Sequence, residues 1–195
     1  MQTKLLALTY SAWSEAQFSQ ILYTPNIFTE TEIEEILRVK QSGIKPAWER
    51  LVKISINKVI APTFEKNEKK EQLKTYINRY IFKQSQMRNK IAHGQWINAI
   101  EKTEEKTTDF NQRLRELNVV DIMIEFEVHT SLGKIIRDLV QSPNKGFSQN
   151  YDTNIASLTD FLSKSNSWNM SSKINQLSKK PKKFLCPKCK DSTNF

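Results

Sequence analysis

The run Met87-Arg88-Asn89-Lys90-Ile91-Ala92-His93-Gly94 brings together three side chains with complementary chemistry. His93 is one of 2 histidines in the chain, and an imidazole can take or give a proton near neutral pH. Arg88 supplies a permanent charge on a planar fork of donors that matches phosphate oxygens. Asn89 both donates and accepts, so it can orient a neighbour. Together they are a minimal set for phosphodiester chemistry. On a helix, Asn89 and His93 are four apart and share a face, whereas Arg88 is turned about 100° from Asn89. One helix does not converge all three, and a second copy facing the first across a two-fold axis would supply the missing members. A plainer reading stands beside this one, because the helix dipole by itself favours Arg and His near a helix C-terminus.

These side chains need elements to hold them. Residues 5–23 read as a core helix, with Leu6, Tyr10 and Trp13 on one line and Leu5, Leu8, Ala12 and Leu22 on another, stopping before Pro25. Thr29-x-x-Glu32 reads as a capping box that opens a helix over Glu30–Lys40, ending near Gly43. Pro46 suits a first helical turn, and Trp48, Leu51, Val52, Ser55 and Val59 recur at helical spacing up to Pro62. After the polar residues 65–71, a fourth helix carries Leu73, Ile77, Tyr80, Ile81, Met87 and Ile91, with Gly94 as its terminator. The motif therefore lies at the end of this fourth helix. Residues 95–100 and 111–117 read as a small hairpin around the polar stretch 101–109. Val119–Gln141 reads as a long helix closed by Ser142-Pro143, followed by helices over 154–165 and, briefly, 171–177. The expected fold class is an all-α bundle with a small β-hairpin inserted after the motif.

Charge divides the chain in two. Of the net +9, residues 164–195 hold +7, from eight lysines against the single acid Asp191, which leaves +2 for residues 1–163. The expected organisation is one helical domain over 1–165 and a basic, partly disordered tail over 166–195. Only 4 glycines argue against a turn-rich sheet fold, and no Gly-rich phosphate loop is present. No run approaches the roughly 20 apolar residues of a membrane span. The apolar residues 5–8 are too few for a signal-peptide core, so a cytoplasmic protein with no membrane association is expected.

Arg88-Asn89-x-x-x-His93 matches the R-N-x-x-x-H form of the signature of HEPN domains, small all-helical bundles found in ribonucleases, toxins and phage-defence proteins. Ser11-Ala12-Trp13-Ser14-Glu15-Ala16, residues 88–96 and residues 117–143 are similar to the RiboL-PSP-HEPN branch, so the resemblance covers residues 4–177. The resemblance implies a HEPN-type bundle acting as a homodimeric endoribonuclease that needs no metal or other cofactor for catalysis. It implies attack of the RNA 2′-hydroxyl on the adjacent phosphate, with His93 moving the proton, Arg88 holding the phosphate and Asn89 fixing the geometry. It also implies a setting in phage defence or as a toxin, with a cognate antitoxin or a defence-complex subunit as a further partner. Some HEPN proteins have lost catalysis, and the alternative is a non-catalytic dimer that serves as a nucleic-acid-binding or assembly subunit.

The remaining candidates surround this motif. Glu15 is seven residues from both Leu8 and Leu22, within an apolar stripe, where a carboxylate needs a partner. Arg88 is a candidate partner, which makes Glu15 an orienter of the guanidinium or one half of a structural salt bridge. Trp96 has the aromatic face to stack on an unpaired base, and a core or dimer-interface role is favoured for it. His129 has only Glu125 as a polar neighbour at helical spacing and reads as structural or exposed. Lys179, Lys180, Lys182 and Lys183 form a cationic run that can add salt-sensitive affinity for RNA. Cys186-Pro187-Lys188-Cys189 resembles one half of a zinc ribbon. Zinc takes four ligands, so such a site closes only as a structural zinc shared with Cys186 and Cys189 of a second chain.

Overall fold

The computed structural model describes residues 2–96 and 103–180, and every regular element among them is helical. The order is α1 (Gln2–Leu22), α2 (Glu30–Lys40), α3 (Ile44–Asn57), α4 (Thr63–Tyr76), a π-wound stretch (Ile77–Phe82), α5 (Lys83–Ala92), α6 (Glu104–Glu116), α7 (Val119–Gln141), α8 (Pro143–Lys145), a second π-wound stretch (Gly146–Asn150), α9 (Tyr151–Ser165) and α10 (Met170–Ser178). The all-α expectation therefore holds.

Several ends follow directly from local chemistry. Glu32 N–H donates to Thr29 Oγ1 at 3.2 Å and Thr29 N–H donates to Glu32 Oε2 at 2.9 Å, which is the capping box that opens α2. At α7, Asn118 Oδ1 accepts from Val120 N–H at 2.9 Å and Asp121 N–H at 3.1 Å. At its other end Pro143 cannot continue the ladder. α5 stops at Gly94, whose φ of +75° is the left-handed conformation that lets the chain leave a helix.

The hairpin expected after the motif is not there. Its second limb, residues 111–117, belongs to α6 and its C-cap, and most of the intended loop forms the first turns of that helix. Thr103 Oγ1 caps α6 by accepting from Lys106 N–H at 3.4 Å. Phe110 and Leu114 then bury one face four residues apart, and Leu117 packs against the same cluster. Three apolar residues at that spacing meet the needs of a short amphipathic helix, and the polar remainder faces water. Residues 97–102, which include most of the first limb, lie outside the described residues.

Two apolar clusters hold the bundle. The larger is built from Phe18, Ile21 and Leu22 of α1, Trp48, Leu51 and Val52 of α3, Leu73, Ile77 and Ile81, the inward face of α7 from Val128 to Val140, and Phe147, Tyr151, Ile155 and Leu158. The smaller joins Ala7 and Tyr10 of α1, Met87 and Ile91 of α5, Phe110 and Leu114 of α6, and Ile122 of α7. The rod from Thr63 to Ala92 thus serves both clusters, and its π-wound stretch contributes Ile77 and Ile81 to the larger one. Gly146 shows how closely the far end is packed. A Cβ there would stand 2.5 Å from the Asp138 carbonyl oxygen, so only glycine lets the chain turn back across the end of α7.

Candidate functional site

Arg88 projects from α5 toward α1, and its Nη2 donates to Glu15 Oε1 in a short ion pair. The pair forms because α1 and α5 both pack on the smaller cluster through Ala7, Tyr10, Met87 and Ile91. The side chains are one third (Arg88) and 44% (Glu15) exposed, so the pair sits at the rim of the core and is wet. Arg88 Nε is buried with no hydrogen-bond partner. Glu15 therefore engages one nitrogen of a guanidinium that has five N–H donors.

Asn89 and His93 are exposed. His93 is the C-cap residue of α5, with φ −88° and ψ 19°, and its N–H donates to the Asn89 carbonyl at 3.1 Å. Their side chains lie one turn apart on the last exposed turn of the helix. Among the described residues no side-chain hydrogen bond joins Arg88, Asn89 and His93 to one another, so one protomer brings them to a common helix end without converging them on a point.

Arg88, Asn89 and Glu15 line one side of a cleft of about 360 Å³. The opposite side comes from the connection between α2 and α3: Lys40, Ser42, Gly43, Ile44, Lys45 and Pro46. Lys40 Nζ lies 5.3 Å from the centre of the Phe18 ring, and Lys45 Nζ lies 5.1 Å from that of Phe82 and 3.9 Å from Glu49 Oε1. Sequence reasoning missed Lys40 and Lys45. The only available signal was two lysines flanking Gly43, and nothing local connects that turn to a motif more than forty residues later.

The other candidates fall elsewhere. Trp96 is half-buried against the smaller cluster, and its Nε1–H donates to the Ile91 carbonyl at 2.9 Å, so the indole packs on the base of α5. Lys179 and Lys180 are exposed just past α10. Lys182, Lys183, Cys186 and Cys189 lie outside the described residues. Among the described residues no group of three or more His, Cys, Asp or Glu side chains could hold a metal ion, and no helix is long and apolar enough to cross a membrane.

Two further features involve α7. His129 is fully buried, with its Nδ1 3.3 Å from Tyr10 Oη and its Nε2 3.4 Å from Ser14 Oγ. The rings of Tyr10, Trp13 and Trp48 meet it edge-on. Burial pushes the imidazole down to about 4, so it is a neutral core residue. Glu125 lines a pocket of about 210 Å³ with Lys83, Arg113, Glu116 and Asp121. Burial pushes its carboxyl up to about 7, the Asp121 carboxylate adds to this, and Arg113 opposes it. On the outer side of the α1–α7 pair, Leu6, Tyr10, Trp13, Val119, Ile122, Met123 and Phe126 line an apolar groove of about 460 Å³.

No protein-family model, no curated protein and no solved structure matches the chain.

Proposed function

We propose that the protein is an endoribonuclease of the HEPN type that cleaves RNA through its own 2′-hydroxyl and needs no metal. The observation that carries this reading is the end of α5. There Arg88 is anchored to Glu15 beside a basic cleft, and Asn89 and His93 are exposed to a ligand lying across the same turn.

In the proposed reaction the ribose 2′-oxygen attacks the adjacent phosphorus as its proton passes to a base, and the P–O5′ bond breaks. The products are a 2′,3′-cyclic phosphate and a 5′-hydroxyl, whose oxygen takes up a proton. His93 is the proton carrier, because it is the exposed imidazole, whereas His129 is sealed in the core. Arg88 offers its remaining Nη–H groups to the phosphate oxygens as charge builds on them. Asn89 holds the reacting groups in line, and DNA, which lacks the nucleophile, is spared.

The reading includes a homodimer. Arg88 and His93 do not meet within one protomer, so a second copy supplies the complementary half of each site across a two-fold axis. The biological setting that accompanies the resemblance is phage defence or toxin action in the cytoplasm, with an antitoxin or a defence-complex subunit as the partner. A second reading, a non-catalytic assembly subunit, draws on the exposed apolar groove between α1 and α7, which suits a protein partner.

Cleavage of single-stranded or structured RNA by the purified protein in EDTA separates the two. The wild type is expected to leave cyclic phosphate ends, and His93→Ala and Arg88→Ala are each expected to lose at least about 100-fold in rate while keeping the dimer. Residual cleavage equal to wild type in both variants would assign the activity to a contaminant and favour the assembly reading.

A further inference from the structure

The cleft beside Arg88 has a second wall that the chemistry above leaves without a role. It is built where α2 passes into α3. Lys40 stands in the last turn of α2, Ser42 and Gly43 make the connection, and Ile44, Lys45 and Pro46 are the first residues of α3. Gly43 is the N-cap of that 14-residue helix and offers no side chain to cap it. The N–H groups of Ile44 and Lys45 therefore lack the usual side-chain acceptor, Pro46 has no N–H to offer, and the positive end of the dipole borders the cleft.

The charges around this space are uneven. Lys40, Lys45 and Arg88 face one carboxylate, Glu15, in the lining. Glu15 is already paired with Arg88, and Lys45 leans toward Glu49 at 3.9 Å. Lys40 has no ion pair among the described residues and rests on the face of Phe18, which holds its charge near the cleft without neutralising it. A space of about 360 Å³ is within the range of roughly 300–1,000 Å³ typical of small-ligand pockets. Its polar lining, which includes Ser42, Ser85, Gln86 and Asn89, suits a hydrogen-bonding anion better than an apolar ligand.

We propose that this cleft is a subsite for a backbone phosphate of the RNA next to the one being cleaved, held by Lys40, Lys45 and the open first turn of α3. The inference rests on the ribonuclease reading and deepens it. Arg88 stands at the border of both sites, with Glu15 keeping its guanidinium turned to the reacting phosphate while the two lysines take the neighbour. The substrate is accordingly a strand with phosphates on both sides of the reacting ribose, and a dinucleoside monophosphate, which carries a single phosphate, is a poor one.

Fluorescence anisotropy with a single-stranded 2′-O-methyl RNA of about a dozen nucleotides tests this, because the blocked oligonucleotide binds without being cut. Lys40→Gln/Lys45→Gln is expected to weaken binding about 10-fold or more at moderate salt. It should also reduce the slope of log affinity against log salt by about 0.7, the value for one lost phosphate contact on a single strand. Lys40→Arg/Lys45→Arg keeps the charge and is expected to retain affinity, which excludes misfolding as the cause. Lys134→Gln/Lys145→Gln removes the same charge from exposed positions outside the cleft lining and should change little. Unchanged affinity in Lys40→Gln/Lys45→Gln, or an equal loss in the matched pair, overturns the subsite while leaving the ribonuclease reading intact. A wild-type protein that binds no RNA and cuts none overturns both.

Discussion

Glu15 of α1 and Arg88 of α5 form an ion pair across a sequence separation of 73 residues, and it is the tie that fixes where the guanidinium points. A pair this wet contributes little to stability, because solvent screens both partners and two side chains lose freedom to make it. Its value lies in aim: Glu15 takes a donor on Nη2, Nε is buried, and the other Nη donors are left for a ligand.

Glu15→Gln is therefore expected to separate stability from activity. The amide keeps the shape and can accept from Arg88, but it loses the charge. The unfolding free energy should change by less than about 1 kcal/mol, while RNA cleavage falls by about 10-fold or more, mainly in kcat, because the guanidinium is no longer held. A loss of stability without a loss of rate would show the pair to be purely structural. Denaturant titration and initial rates on the same samples read both quantities.

The pH dependence of stability should carry two opposed contributions from α7. The Glu125 carboxyl is raised from its ordinary value to about 7 by burial, so the folded state binds the extra proton and stability falls as pH rises from about 4.5 through 7. The His129 imidazole is lowered to about 4, so the unfolded state binds the extra proton and stability falls as pH drops from about 6.5 through 4. Between these limits the two slopes partly cancel. Glu125→Gln removes the first and is expected to stabilise the protein at pH 8 by on the order of 2 kcal/mol, with little effect at pH 4. Urea midpoints at pH 4, 6 and 8 measure this, and equal midpoints for variant and wild type at pH 8 would contradict it.

Gly146→Ala probes the packing that returns α9 along α7. The added methyl would stand 2.5 Å from the Asp138 carbonyl oxygen and 3.0 Å from the Leu139 nitrogen, atoms of a helix backbone that cannot step aside. A cost of about 2–3 kcal/mol is expected, read as a lower thermal midpoint. Gly94→Ala, where a Cβ meets nothing within 4 Å, should cost less and act only through its φ of +75°.

Removing residues 179–195 tests the basic tail. If its lysines reach RNA, the truncated protein binds more weakly and its salt dependence flattens. If the tail has no part in binding, neither quantity moves. The full chain should be assayed for zinc in parallel, where less than about half an equivalent per dimer excludes a shared four-thiolate site at Cys186 and Cys189.

The helical bundle was legible wherever a local signal marks an end. Thr29 and Glu32 open α2, Pro143 closes α7, and Gly94 closes α5, and each acts within a few residues of itself. Residues 103–117 were misread because Phe110, Leu114 and Leu117 are too few to declare a period, and a short helix and a strand leave similar traces there. The need of Glu15 for a partner was legible from the apolar residues around it, and Arg88 was a candidate the structure places against it. The rest depends on distant pairings. His129 looked unremarkable beside Glu125, yet it is enclosed by Tyr10, Ser14 and Trp48 from other helices. The place of Lys40 and Lys45 beside Arg88 appears only once the α2–α3 turn is packed beside α5.

The π-wound stretch between α4 and α5 ties the facing of the motif to how the rod is wound. A π turn accommodates about one residue more than an α turn, so the direction in which α5 presents Arg88 is set by the extra residue stored in Ile77–Phe82. Rewinding these six residues as plain α-helix with none lost would carry Arg88, Asn89 and His93 together by about 100° around the axis. Arg88 would turn away from Glu15 with the fold and the motif spelling both intact. Removing one residue from Ile77–Phe82 offsets that rotation, so a single-codon deletion some six residues before the motif leaves Arg88 facing Glu15, whereas straightening the stretch at full length turns the site away.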